Sequence, residues 1–210
     1  MPESELLTAE RLVVNQKAKL IELTNQYAIR DAEGRDLGAI HQEGQSKAKK
    51  VLRFVANVDQ FFTHTLAIYD ANGSKVLEVV RPRKIVKSRF EVKDGTGRTV
   101  GRIVQNNVFG KITFDLLGEH DNKLGAIKAE NWRAWDFSIV DDTGTEIGRI
   151  DKKFVGIARA LFTTGDNYVV DVQPSVTGDR RLMVLAAALA VDTALKQDAR
   201  GLSVTDLINP

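Results

Sequence analysis

A fourteen-residue pattern recurs along this chain, and it constrains the fold more than any other feature. It reads YAIRDAEGRDLGAI from Tyr27, FEVKDGTGRTVGRI from Phe90 and FSIVDDTGTEIGRI from Phe137. LAIYDANGSKVLEV from Leu66 keeps the first half and has Glu78 where the second glycine would stand. ITFDLLGEHDNKLGAI from Ile112 keeps the second half after a longer turn. Self-similarity at a fixed period signals one structural unit used many times. Here the unit is a β-hairpin. Tyr27 and Ile29, Leu66 and Ile68, Phe90 and Val92, and Phe137 and Ile139 alternate with mostly polar neighbours, so one face is buried. An aspartate follows, whose carboxylate can accept from nearby backbone N–H groups. Gly34, Gly73, Gly97 and Gly144 then suit the left-handed position that closes a tight turn.

The returning strands read Leu37-Gly38-Ala39-Ile40, Val100-Gly101-Arg102-Ile103, Leu124-Gly125-Ala126-Ile127 and Ile147-Gly148-Arg149-Ile150. Their two aliphatic residues are three apart, which breaks strict alternation. A bulge or bend at the glycine places both inside. Repeated bends of this kind are what a sheet needs in order to close on itself. Hairpins starting near Tyr27, Leu66, Phe90, Ile112, Phe137 and Ile157 predict about twelve strands, the last pair turning at Gly165-Asp166-Asn167.

The chain ends on a different kind of segment. Leu182 to Val191 is apolar on every side of a helix, which means burial all round. Ala186, Ala187, Ala188, Ala190 and Ala194 keep it thin. A closed antiparallel β-barrel around this helix accounts for both halves of the pattern. The helix is expected at about 180–199, with an N-cap at Gly178-Asp179 and a stop at Gly201. As a membrane span it is short. Leu182 to Leu195 covers about 21 Å against a hydrocarbon core of about 30 Å, and it contains Asp192. One domain over 8–205 is expected, with 1–7 as a disordered tail.

Composition sets the outer bounds. Hydrophobic residues make up 43% and charged residues 28%, ordinary for a folded domain. The net charge of +2 supplies no global field for nucleic acid, so any basic site is local. Cysteine is absent, which excludes disulfides, thiol chemistry and cysteine metal sites and suits a cytoplasmic setting. His41, His64 and His120 are scattered, no serine sits in a nucleophile elbow, and the glycines at 95, 97 and 101 do not open a helix. No catalytic residue, metal ligand or cofactor is therefore assigned.

Three stretches remain as binding candidates. In the first, Lys47, Lys49, Lys50 and Arg53 have apolar neighbours and suit anionic lipid or phosphate. The second carries Arg81, Arg83, Lys84, Lys87 and Arg89; read as one strand, it places Arg81, Arg83, Lys87 and Arg89 on one face. The third holds Trp132 and Trp135, three apart, which suit a membrane interface.

The hairpin repeat, the apolar C-terminal helix, and the opening Leu12-Val13-Val14-x-Gln16 with Asn25-x-Tyr27-x-Ile29-x-Asp31-x-x-Gly34 resemble the phospholipid scramblase and LURP-one-related group of the Tubby C-terminal-like superfamily. Leu77-x-Val79-Val80-Arg81-Pro82 resembles a scramblase stretch ending in Arg-Pro. The resemblance runs from about Leu12 to Arg200. It implies a twelve-stranded barrel around a central helix and a non-catalytic module for acidic headgroups or phosphoinositides. That module would act peripherally at the inner membrane face, without a transmembrane span. The alternatives are a true scramblase whose helix inserts, and a nucleic-acid-binding or regulatory domain with a protein partner. Asp171 to Asp179 does not spell the calcium loop of the animal scramblases.

Overall fold

The computed structural model describes residues 4–16, 26–43, 64–82, 87–107, 112–131, 135–152 and 167–205. A short helix, α1 (Glu5–Thr8), precedes the strands β1 (Arg11–Gln16), β2 (Gln26–Arg30), β3 (Asp36–Glu43) and β4 (His64–Asp70). Next come β5 (Lys75–Arg81), β6 (Arg89–Asp94), β7 (Thr99–Gln105) and β8 (Thr113–Gly118). The last strands are β9 (Lys123–Asn131), β10 (Asp136–Asp141), β11 (Glu146–Asp151) and β12 (Asn167–Val172), followed by α2 (Gly178–Thr205).

The strands pair antiparallel in sequence order, and β12 closes on β1, giving a closed barrel. In the four Asp-x-x-Gly hairpins one carboxylate oxygen organises the turn. Asp31 accepts from the backbone N–H groups of Glu33 and Arg35, and Asp70 from those of Asn72 and Ser74. Asp94 accepts from Thr96 and Arg98, and Asp141 from Thr143 and Thr145. The glycines that follow have φ between 79° and 90°. That left-handed backbone favours glycine, so the residue choice and the turn geometry agree.

Each return strand carries the expected bulge. Ile29 pairs Gly38 and Arg30 pairs Asp36, which leaves Leu37 as the extra residue. The same two-against-one shift singles out Val100, Leu124 and Ile147. Both aliphatics then face inward: Leu37 and Ile40, Val100 and Ile103, and Ile147 and Ile150 are all buried. The glycine between them is required by a close approach. A Cβ at Gly101 would stand 2.2 Å from the carbonyl oxygen of Leu117. In β5 the residue at this register is Leu77, opposite Asp94, with Val76 bulged. The glycine's counterpart is thus Leu77, seven residues after Asp70 as Gly101 is seven after Asp94, which corrects the placing at Glu78.

The helix α2 fills the lumen. Leu182 through Val191 are all buried, and they form one core with inward residues such as Leu77, Phe90, Ile103, Phe114, Ile127 and Phe137. Burial on every side explains the absence of a polar stripe.

Two details differ from expectation. The helix runs on through Gly201 to Thr205. Within the expected tail, Glu5–Thr8 forms α1, and Leu6 is fully buried. The twelfth strand lies between β11 and β1, and the partner strand expected from Ile157, with its turn at Gly165-Asp166, falls within 153–166, outside the described residues.

Candidate functional site: the connection end of the barrel

A closed antiparallel barrel sorts its connections by end. The tight turns after β2, β4, β6, β8 and β10, and the link from β12 to α2, lie at one end, here the turn end. The connections after β1, β3, β5, β7, β9 and β11 start and finish at the other, here the connection end. The helix starts at the turn end, where Arg98 donates to both carboxylate oxygens of Asp179 at 2.7 and 3.1 Å while also pairing with Asp94. There Arg181 donates to the carbonyl of Ala9, so α1 lies across this end. The C-terminal half of α2 therefore points to the connection end.

All three candidate stretches belong to that end. The Lys47–Arg53 stretch falls between β3 and β4, and the Arg83–Lys87 stretch between β5 and β6. These four strands are consecutive, so the stretches depart from neighbouring parts of the barrel rim. The tryptophan pair falls between β9 and β10. Lys47, Lys49, Lys50, Arg53, Arg83, Lys84 and Trp132 themselves lie outside the described residues.

Arg81 requires a correction. It is only 2% exposed and lies on the inward face of β5 with Leu77 and Val79. A single face running from Arg81 to Arg89 fails because β5 ends at Arg81 and β6 begins at Arg89. Alternation cannot be counted across the connection between them. Lys87 and Arg89 are exposed. The Lys87 ammonium donates to the carbonyl of Asn106 at 2.6 Å, which ties the β5–β6 connection to the start of the β7–β8 connection.

Trp135 is half-buried and adopts a φ of 54°. For a bulky side chain this is an outlier that surrounding contacts must hold. The Lys152 backbone N–H donates to its carbonyl at 3.2 Å, and the Lys152 ammonium sits 3.8 Å from the centre of its ring. The Tyr168 ring packs 6.0 Å away. The sequence motif identified Trp135 but missed Lys152, seventeen residues on, because the β10–β11 pairing is what brings the two together.

Inside the same end the lumen carries polar groups. The Tyr27 hydroxyl donates to Asp192 at 3.2 Å, and Asp192 is 4% exposed. Burial, reinforced by the Asp192 charge and Tyr27, raises the Tyr168 phenol well above its ordinary pKa. The Asp192 that counts against a membrane span in the sequence is thus a lumen residue hydrogen-bonded to the wall.

Sequence reasoning also missed a feature of the outer wall. A groove of about 650 Å³ runs over Ala28, Gly38 and Ala39 beside His41, Glu43 and Tyr69. Tyr69 donates to Glu43, which Lys75 bridges to Glu78. Partial burial alone would raise the Glu43 carboxyl, but the hydrogen bonds from Tyr69 and Lys75 outweigh it and hold the pKa below the usual range. These groups satisfy one another. Among the described residues no group of three or more acidic or histidine side chains could hold a metal ion, and no helix is long and apolar enough to cross a membrane.

A closed twelve-stranded antiparallel barrel wound around a central apolar helix is the Tubby C-terminal-like architecture. The crystal structure of an Arabidopsis thaliana protein shares it, with a TM-score of 0.54 at 10% identity, over 91% of this chain and 96% of that one. The chain belongs to the Scramblase family, whose pattern it matches over residues 2–195. It is 23% identical over 187 residues to a phospholipid scramblase family protein of Schizosaccharomyces pombe, covering 80% of this chain and 48% of that protein. It is 24% identical over 211 residues to altered inheritance rate of mitochondria protein 25 of Saccharomyces cerevisiae, covering 81% of this chain and 64% of that one. The chain thus spans about half the length of the first relative and under two thirds of the second.

Proposed function

We propose that this scramblase-family barrel is a non-catalytic module that binds acidic phospholipid headgroups peripherally, through the cations of the β3–β4 and β5–β6 connections. The observation that carries the reading is the strand order, which sets the four strands bearing those connections side by side at one end. Lys47, Lys49, Lys50, Arg53, Arg83, Lys84, Lys87 and Arg89 are the binding residues. Arg81, being buried, supports β5 from inside. Each cation near an anionic surface contributes about 1 kcal/mol, and salt screens that attraction over about 10 Å at 0.1 M.

Co-sedimentation with neutral and with acidic vesicles, at low and high salt, tests the reading. Binding to acidic vesicles alone, lost at high salt, is the expected result. Replacing Arg83, Lys87 and Arg89 by alanine removes about 3 kcal/mol, a loss of roughly a hundredfold in affinity, with the melting transition unchanged. Binding that ignores headgroup charge, or that survives this triple substitution undiminished, refutes the reading.

A further inference from the structure

The division of charge and of phenylalanine and tryptophan between the two sets of links extends far beyond the two basic stretches. All six links at the connection end are net positive. Residues 17–25 carry two cations and one acid, 44–63 four and one, and 82–88 three and none. Residues 106–112 and 132–135 carry one cation each with no acid, and 152–166 carry three cations and one acid. That makes fourteen cations against three acids, in a chain whose net charge is only +2. The turn end has the opposite sign. Its five tight turns carry five acids and two cations, and residues 4–10 add Glu5 and Glu10 with no cation. Aromatic residues follow the same division. Phe90, Phe114 and Phe137 are buried inside, whereas the other six phenylalanines and both tryptophans belong to the connection-end links.

Complementing the helix dipole does not account for this distribution. The C-terminus of α2 presents about half a negative charge, and its influence fades within a turn. A surplus of eleven cations at that end is far larger. Nor does solubility call for aromatic residues and cations at the same end. Cations interleaved with tryptophan and phenylalanine are the composition of a surface that meets headgroups and the outermost acyl region together.

We infer that the chain docks end-on against an anionic bilayer surface, with the whole connection end facing the membrane, the barrel axis along the bilayer normal and the acidic turn end facing away. This deepens the headgroup reading and rests on it. Charge complementarity fixes the orientation: the positive pole is drawn to the bilayer and the negative pole is repelled. Among the described residues, Trp135 and Lys152 form the anchor. Trp135 is held in its strained backbone by the Lys152 N–H and lies under the Lys152 ammonium, so ring and cation are presented as one amphipathic unit. Lys87 and Arg89 belong to the same end, four strands further round the rim at the start of β6.

The chain has no cysteine, so introduced cysteines report from single positions. Asn106 at the connection end and Asn72 at the turn end are both exposed. Trp132→Phe leaves Trp135 as the sole tryptophan. Vesicles of phosphatidylcholine with about a third phosphatidylserine, carrying brominated acyl chains, are added to each full-length variant, with sedimentation measured alongside. The expected result is a blue shift and quenching of Trp135 and a membrane response from a dye on N106C, with no response from the same dye on N72C. The N106C reading stands independently if Trp132→Phe disturbs the fold. Sedimentation with a response from N72C, or with Trp135 and N106C both silent, overturns end-on docking while leaving headgroup binding in place. Absence of sedimentation overturns the headgroup reading and this inference with it.

Discussion

Leu185→Ala tests whether the helix is the core of the barrel or a segment merely housed in it. Leu185 is 4% exposed and lies in the run whose every residue is buried. Large-to-small substitutions in cores cost about 2–5 kcal/mol, and the figure depends on how far the surroundings collapse into the space. Here collapse is restricted on two sides. The wall is a continuous ladder of twelve paired strands, and Ala188, three residues on and on the same face of the helix, has nothing to extend into a gap. The cost therefore falls in the upper half of the range, about 3–5 kcal/mol. For a domain of this size that lowers the melting temperature by about 10 °C. Thermal unfolding followed by far-ultraviolet circular dichroism, with Asn72→Ala as an exposed control, measures it. Leu185→Asp adds an unpaired buried charge to the same loss, and the sum rivals the whole stability of a typical domain, about 5–15 kcal/mol, so that variant does not fold. A shift below about 2 °C for Leu185→Ala, or cooperative melting of Leu185→Asp near the parent temperature, refutes the plug.

Two further outcomes follow from the hairpins. Gly101→Ala forces a Cβ against the Leu117 carbonyl and costs about 2 kcal/mol or more, whereas Gly73→Ala, with φ of 79° and nothing within 4 Å, costs only about 1 kcal/mol for its left-handed backbone; urea midpoints in the reverse order would refute the close-approach argument. For Asp94, burial raises the pKa, but hydrogen bonds from Thr96 and Arg98 outweigh it and hold the carboxyl below 3.8; its stabilisation is thus complete above that value and is lost as pH falls through the lower folded pKa, so Asp94→Asn flattens the acid side of a urea-midpoint profile, and an unchanged acid slope sinks the assignment.

The fold was legible because the hairpin is a local object. The carboxylate, the left-handed glycine and the bulged aliphatic of each copy lie within fourteen residues, and each has a physical reason to be where it is. Closure is not local. The pairing of β12 with β1 joins residues about 160 apart, as Arg11 with Asp171 shows, and leaves no turn signature. Leu6 fell into an apparent tail for the same reason. Its burial depends on the turn end of a barrel that a seven-residue window cannot contain. At the candidate site, charge was legible but inside and outside were not: Arg81 and Arg89 look alike in sequence, and only the strand ends separate them. The polarity between the two ends needed both inputs, since the charges come from the sequence and their sorting comes from the topology.

That polarity also bears on whether the apolar helix leaves the barrel for the membrane. A bilayer would rebury the helix, but it would not rebury the wall. Phe90, Phe114, Phe137, Ile103, Ile127 and Leu77 all face α2 from the lumen side, and fully burying a side chain of this kind contributes about 1.5–3 kcal/mol. Emptying the lumen therefore costs about 9–18 kcal/mol from these six residues alone, before the loss of the Arg98–Asp179 and Tyr27–Asp192 contacts that hold the helix at its start and midway along it. Docking by the connection end costs none of this. The helix and the wall stay buried against each other while cations and aromatic rings outside the lumen meet the lipid. The same apolar sequence that would suit a membrane is satisfied within the protein, and the chemistry proposed to meet a membrane lies in the connections.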